Sequence, residues 1–233
     1  MLVASAQLFH SANPRRAAVR LQAVEPIKGV GWPQLQGMLD ELPVFTLANE
    51  EGQPLQFKIG EKPLAIFYAD VEAAKTQLAN AQKQSPDLTC DLMPVGLGSA
   101  FKLSCESKAM VVPGMAELIA AGAPEDAQPL GQELPLFACM KMSREREGDD
   151  GPVVPLFMSY ADCDTAVTQV TDAVESDDAL EISCLSLASV VEQLAGLEEP
   201  SSGAFAFEAP SASLQHIEAY VGKGVYWRPV DEE

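Results

Sequence analysis

The sequence predicts an α+β fold built from two similar lobes. Three observations carry this: stretches with strand and helix patterns come in mixed runs rather than in strict alternation, the chain repeats itself at an offset of 92 residues, and its composition is globular. The 233 residues are 47% hydrophobic and 21% charged, which is enough apolar material for one sizeable core or two small ones.

The repeat sets the organisation. At this offset Leu42, Pro43 and Phe45 fall on Leu134, Pro135 and Phe137, and Pro63-Leu64 falls on Pro155-Leu156. Tyr68-Ala69-Asp70 falls on Tyr160-Ala161-Asp162, followed by Ala74 on Ala166, Thr76 on Thr168, Gln77 on Gln169, Ala81 on Ala173 and Leu88 on Leu180. From Pro63 to Ala81 nine of nineteen positions are identical, where ordinary residue frequencies supply about one. The reading is an internal duplication without a gap.

Each copy resolves into the same elements. Leu42–Ala48 is rich in strand formers, and Glu50-Glu51-Gly52-Gln53-Pro54 has turn chemistry before the alternating Leu55–Ile59, which predicts a hairpin. Pro63–Tyr68 is a continuous apolar run suited to the centre of a sheet. Asp70 stands where a helix N-cap is wanted, with Val71, Ala74, Leu78 and Ala81 behind it at helical spacing. Asp162 is read the same way ahead of Cys163, Ala166, Val170 and Ala173. Leu88–Met93 and Leu180–Leu185 are the next strands. Leu187, Val190, Val191 and Leu194 mark an amphipathic helix, and its counterpart is a vaguer pattern over Leu97–Leu103. Ala109–Val112 and Ala204–Phe207 close as strands, each followed across Pro113-Gly114 or Pro210-Ser211 by a helix, over Met115, Leu118 and Ile119 or over Leu214, Ile217 and Val221. Each half therefore runs roughly β-β-β-α-β-α-β-α, and duplicated halves of this kind are expected to pack about a pseudo-two-fold axis with a groove between them.

Composition divides the chain further. Residues 1–24 contain no Asp or Glu but carry Arg15, Arg16, Arg20, Ser5, Ser11 and many alanines, the make-up of an organellar transit peptide. Residues 35–121 are the first repeat lobe, 122–132 a linker rich in Pro, Gly and acidic residues, 133–223 the second lobe, and 224–233 an acidic tail. The polar loop Ser143–Gly151 in the second hairpin reads as solvated.

The charge excludes some classes of partner. Fifteen Lys and Arg against thirty-four Asp and Glu give −19, so phosphate backbones and anionic lipids are repelled and no basic stripe offers counterion release. An acidic surface attracts basic segments and keeps a protein dispersed. No apolar run is long enough to span a membrane. The five cysteines, Cys90, Cys105, Cys139, Cys163 and Cys184, form no C-x-x-C pair; they read as small buried hydrophobes, with a redox-responsive disulfide left open.

Catalytic parts are scarce, and the chain is read as a non-enzyme needing no cofactor or metal. Of two histidines, His10 lies in the targeting segment and His216 stands alone on the exposed or boundary side of the last helix. Gly96-Leu97-Gly98 lacks the third glycine of a dinucleotide fingerprint. Asp70 and Asp162 could form a carboxylate pair only if the fold brought them into one cleft; helix capping accounts for both. Phe45, Phe67, Phe137, Phe205 and Phe207 read as core.

Pro43-Val44-Phe45-Thr46-Leu47-Ala48-Asn49 and Leu64–Ala74, together with the doubled Leu-Pro-x-Phe strand, resemble the family of the twenty-two-kilodalton component of the translocon at the inner chloroplast envelope membrane. The likeness spans Leu35–Lys223 and rests on duplicated strands and helices rather than on a catalytic signature. Glu41-Leu42 and Glu133-Leu134 replace the Gly-Val that often precedes the Pro, which marks a divergent, algal-type member. The resemblance implies a soluble, chaperone-like import component of the plastid envelope intermembrane space. Its partners would be precursor polypeptides and envelope translocon subunits, and no individual polypeptide-binding residue carries over. The competing reading is a structural or assembly subunit of a photosynthetic membrane complex.

Overall fold

Every residue of β1 (Pro43–Ala48) is buried, so this strand has protein on both faces. The computed structural model describes residues 26–59, 62–145, 151–174, 180–200 and 205–221. Ahead of β1 stand a short 3-10 turn, Pro26–Lys28, and α1 (Trp32–Asp40). The first half continues through β2 (Gln56–Ile59), β3 (Lys62–Tyr68), α2 (Val71–Gln84), β4 (Asp91–Gly96), α3 (Leu97–Cys105), β5 (Ala109–Val112) and α4 (Met115–Ala120). The second runs β6 (Pro135–Cys139), β7 (Arg144–Glu145), β8 (Pro152–Phe157), α5 (Tyr160–Val174), β9 (Ile182–Ser186), α6 (Leu187–Ala195), β10 (Phe205–Glu208) and α7 (Ser211–Val221). The α+β class and the predicted order of elements are both observed.

The two sheets use the same pairing scheme. β4 pairs antiparallel with β1, β1 antiparallel with β3, and β3 parallel with β5; β9, β6, β8 and β10 repeat this order and polarity. Parallel pairing of β3 with β5 requires a crossover, which the segment through α2, β4 and α3 supplies.

The expected hairpins take a different form. β1 and β2 touch only where the loop between them closes, at the Ala48–Pro54 bridge and the Leu55 N–H bond to the Leu47 carbonyl (2.7 Å). Both then lie end to end along β3, with Phe45 opposite Tyr68 and Gln56 opposite Ala65. Most of the backbone hydrogen bonds that a hairpin would make internally are made to β3 instead.

The ungapped repeat also needs correction. Phe45 faces Tyr68, but Phe137 faces Phe157 rather than Tyr160. Tyr68 is the last residue of β3, whereas Tyr160 is the first of α5, so the two Tyr-Ala-Asp motifs sit three residues apart in the fold. Asp162 is consequently inside the first turn and is not the N-cap. Ser159 takes that place, its Oγ accepting from the Asp162 N–H at 3.2 Å. Asp70 does cap α2, accepting from the Glu72 N–H at 2.9 Å. Two strands also begin later than predicted, at Asp91 and Ile182.

Alternation across the strands creates three clusters. The inward side chains of both sheets, among them Val44, Phe67, Leu136 and Leu156, merge into one core with Trp32, Leu35 and Leu39 of α1, Leu97 and Phe101 of α3 and Val190, Val191 and Leu194 of α6. The outer face of the first sheet carries Phe45, Leu47, Ile66 and Leu92 against α2; that of the second carries Phe137 and Cys139 against Cys163 and Val167 of α5. Phe45, Phe67 and Phe137 are almost wholly enclosed, and each such burial contributes about 2–3 kcal/mol.

The last helix of each half packs against the outer layer of the other half. α7 lies against β1 and α2 of the first half, where Ile217 joins the Phe45 cluster. α4 meets α5 of the second half, and Ala121 joins the Phe137 cluster. Among the described residues no helix is long and apolar enough to cross a membrane.

Candidate functional site

The crossing of α7 over the first sheet leaves a cavity of about 330 Å³ between β1, β4, α7 and the loop after β1. Its lining combines Phe45, Leu92, Pro94 and Ile217 with the carboxylates of Glu50, Glu51 and Asp91. The result is an apolar groove with an acidic rim, at a junction of the two halves but on an outer face rather than in the space between the sheets.

Local sequence explains each wall. Asn49 folds the loop, its Oδ1 accepting from the N–H groups of Glu51 (3.1 Å) and Gln53 (2.8 Å), an Asx turn that leaves Glu50 and Glu51 exposed. His216 and Tyr220 stand four apart on α7, hence on one face. The His216 ring meets Phe45 edge-on at 5.5 Å and Tyr220 at 5.1 Å. The Tyr220 hydroxyl donates to Asp91 Oδ2, and Asp91 Oδ1 accepts the Leu92 N–H at 2.8 Å. Burial, followed by the Asp91 hydrogen bond and charge, pushes the Tyr220 phenol up to about 12, so it remains a neutral donor.

The two aspartates weighed from sequence both act on a third carboxylate, Glu117. Burial pushes the Glu117 carboxyl up, and the charges of Asp70 and Asp162 add to this, while a bond to its own backbone opposes it. Both aspartates are engaged structurally: Asp70 caps α2, and Asp162 receives the Ser211 N–H and hydroxyl. Among the described residues no group of His, Cys, Asp and Glu is placed to hold a metal ion.

His216 is half-buried in the groove wall. Phe45, Phe67 and Phe137 are core, and Phe205 and Phe207 are partly buried against it. His10, Arg15, Arg16 and Arg20 lie outside the described residues. Sequence reasoning missed the groove because its wall residues lie more than a hundred positions apart. The only local signal was the acidic pair Glu50-Glu51 beside a buried strand.

Residues 11–216 match the Tic22-like family. The chain belongs to that family. The Tic22-like family is one of protein transport rather than an enzyme class, so membership carries a role in protein translocation and an association with plastid import. Among solved structures, the chain is similar to Tic22 from Plasmodium falciparum, with a TM-score of 0.68 at 16% identity over 82% of this chain and 99% of that one. It is also similar to Anabaena Tic22, a protein-transport structure, with a TM-score of 0.61 at 16% identity over 85% of this chain and 99% of that one. At such identity the likeness shows the shared Tic22 fold. No curated protein matches the chain in sequence.

Proposed function

We propose that this Tic22-like protein is a chaperone-like component of plastid import that holds precursor polypeptides between the envelope membranes. The observation that carries this reading is the groove: half-buried Pro94 and Ile217, over the enclosed Phe45 and Leu92 and beside exposed Glu50 and Glu51, suit a segment with both apolar and basic residues. Plastid targeting peptides are basic, and the chain carries a charge of −19. We read residues 1–24 as its own targeting peptide, 35–121 and 133–223 as the two repeat lobes joined by 122–132, and 224–233 as an acidic tail.

Aggregation of a chemically unfolded plastid precursor, followed by light scattering, tests the reading. The protein is expected to suppress aggregation at equimolar amounts, and E50K with E51K to weaken suppression without altering the circular dichroism spectrum. No suppression, together with stable comigration with thylakoid complexes on fractionation, would overturn it.

A further inference from the structure

The outermost strands β4 and β9 occupy the same place in the two sheets, yet their outward edges differ. In an antiparallel ladder, alternate residues direct their N–H and C=O groups to the partner or away from it. The Leu97 N–H bonds to the Leu42 carbonyl and the Leu187 N–H to the Leu134 carbonyl, which fixes the phase in both sheets. With Leu92 opposite Leu47 and Pro94 opposite Phe45, Leu92 and Pro94 face outward on β4. With Ile182 opposite Cys139 and Cys184 opposite Phe137, Ile182 and Cys184 face outward on β9.

The β4 edge is closed. Pro94 has no N–H to offer, and the Leu92 N–H is taken by the Asp91 carboxylate at 2.8 Å. Proline and charge on an edge strand are the usual means of preventing further pairing. β9 has neither. Its residues Ile-Ser-Cys-Leu-Ser contain no proline and no charge, and no described residue bonds to the outward backbone of Ile182 or Cys184.

We propose that the open edge of β9 is a strand-addition site for an extended, lysine- or arginine-bearing segment of another polypeptide. This rests on the polypeptide-holding reading above and names a second surface for it. Main-chain hydrogen bonds to an edge read no particular sequence, which suits varied clients. The charge of the occupant follows from the surroundings. Glu181 immediately precedes β9 and Glu133 lies just beyond the paired end of β6, against one cation, Lys141, two residues past Cys139, so the described charges at the two ends of the strand are net negative. A second copy would bring another chain of net charge −19 to the edge and be repelled, whereas a basic segment is attracted.

The probe is a short synthetic peptide in which valine and threonine alternate between flanking lysines. Hydrogen–deuterium exchange on the full chain is expected to slow over residues 182–186 when it is added. C184P gives β9 what β4 already has at Pro94, and is expected to weaken peptide binding about tenfold, the loss of one main-chain bond, while C184A binds normally. The same peptide N-methylated at alternate residues keeps every side chain and should not bind the wild-type protein, a readout independent of any variant's folding. Slowing confined to the groove or to residues 205–208, or unchanged binding by the N-methylated peptide, would overturn the edge site and leave the polypeptide-holding reading standing. Peptide-independent slowing that grows with protein concentration would show a second copy there and overturn the proposal. Failure to bind either the peptide or an unfolded precursor would overturn both.

Discussion

The carboxylate of Asp162 receives both the backbone N–H of Ser211, at 2.8 Å, and its hydroxyl, at 2.7 Å. The first turn of α5 thereby anchors the start of α7, the helix that walls the groove on the other half's sheet. Asp40 does the same for α3, accepting from the Ser99 N–H at 2.7 Å. Loss of a side-chain cap costs about 1–2 kcal/mol. D162A is expected to lower stability in urea by about that amount and to speed hydrogen exchange over 211–221 more than elsewhere.

Two glycines show where the first residues of the fold meet the second half. A Cβ on Gly29 would sit 2.2 Å from the Ala195 carbonyl oxygen, and one on Gly31 would sit 2.2 Å from that of Leu197. The Gly31 N–H also bonds to the Ala195 carbonyl at 3.0 Å, holding the C-terminal end of α6. G29A is expected to cost about 1–3 kcal/mol through overpacking, measured by urea unfolding. Gly37, inside α1 with open space around it, is the contrast: G37A should stabilise by about 0.5–1 kcal/mol.

Glu117 gives a pH dependence with a definite sign. Its folded pKa is raised, first by burial and then by Asp70 and Asp162, so its contribution to stability is present below the ordinary value of 4.5 and lost as pH rises through the folded value. E117Q removes that loss. It is expected to melt higher than wild type at pH 7, with the difference closing by about pH 4, near the ordinary glutamate value, in paired thermal melts. A neutral-pH melting point equal to or below wild type would refute this.

The cysteines should separate by reactivity. Cys139 of β6 and Cys163 of α5 are fully enclosed where strand and helix meet, and burial, with Cys139 and Asp164 adding to it, pushes the Cys163 thiol up to about 11. Cys184 is exposed on β9, although partial burial of its sulfur raises its thiol too. Alkylation of the native protein with iodoacetamide at neutral pH, read by mass spectrometry, should mark Cys184 well before Cys139 or Cys163, which react on unfolding.

Much of this architecture could be read from local chemistry. The buried run over Pro63–Tyr68, the Asp70 cap and the strand-helix order follow from residues close together in sequence. α1 has a weaker local signal: Trp32, Leu35 and Leu39 share a helical face, yet Pro33 and Gly37 give the segment the chemistry of a loop. The Tyr-Ala-Asp match misled because identity does not fix register. A strand continues where its ladder bonds are, and these end at Phe157 in the second half. The groove and the crossing of α4 and α7 are set by tertiary packing alone, so no window of sequence contains them.

That crossing has a consequence for separating the two halves. Expressed alone, either half would leave the outer layer of its sheet without the terminal helix that now packs there, because the other half lends it. Two such fragments could complete each other only by trading those helices. The exchanged helices thus interlock the two halves, so that neither can leave without giving up a packed helix.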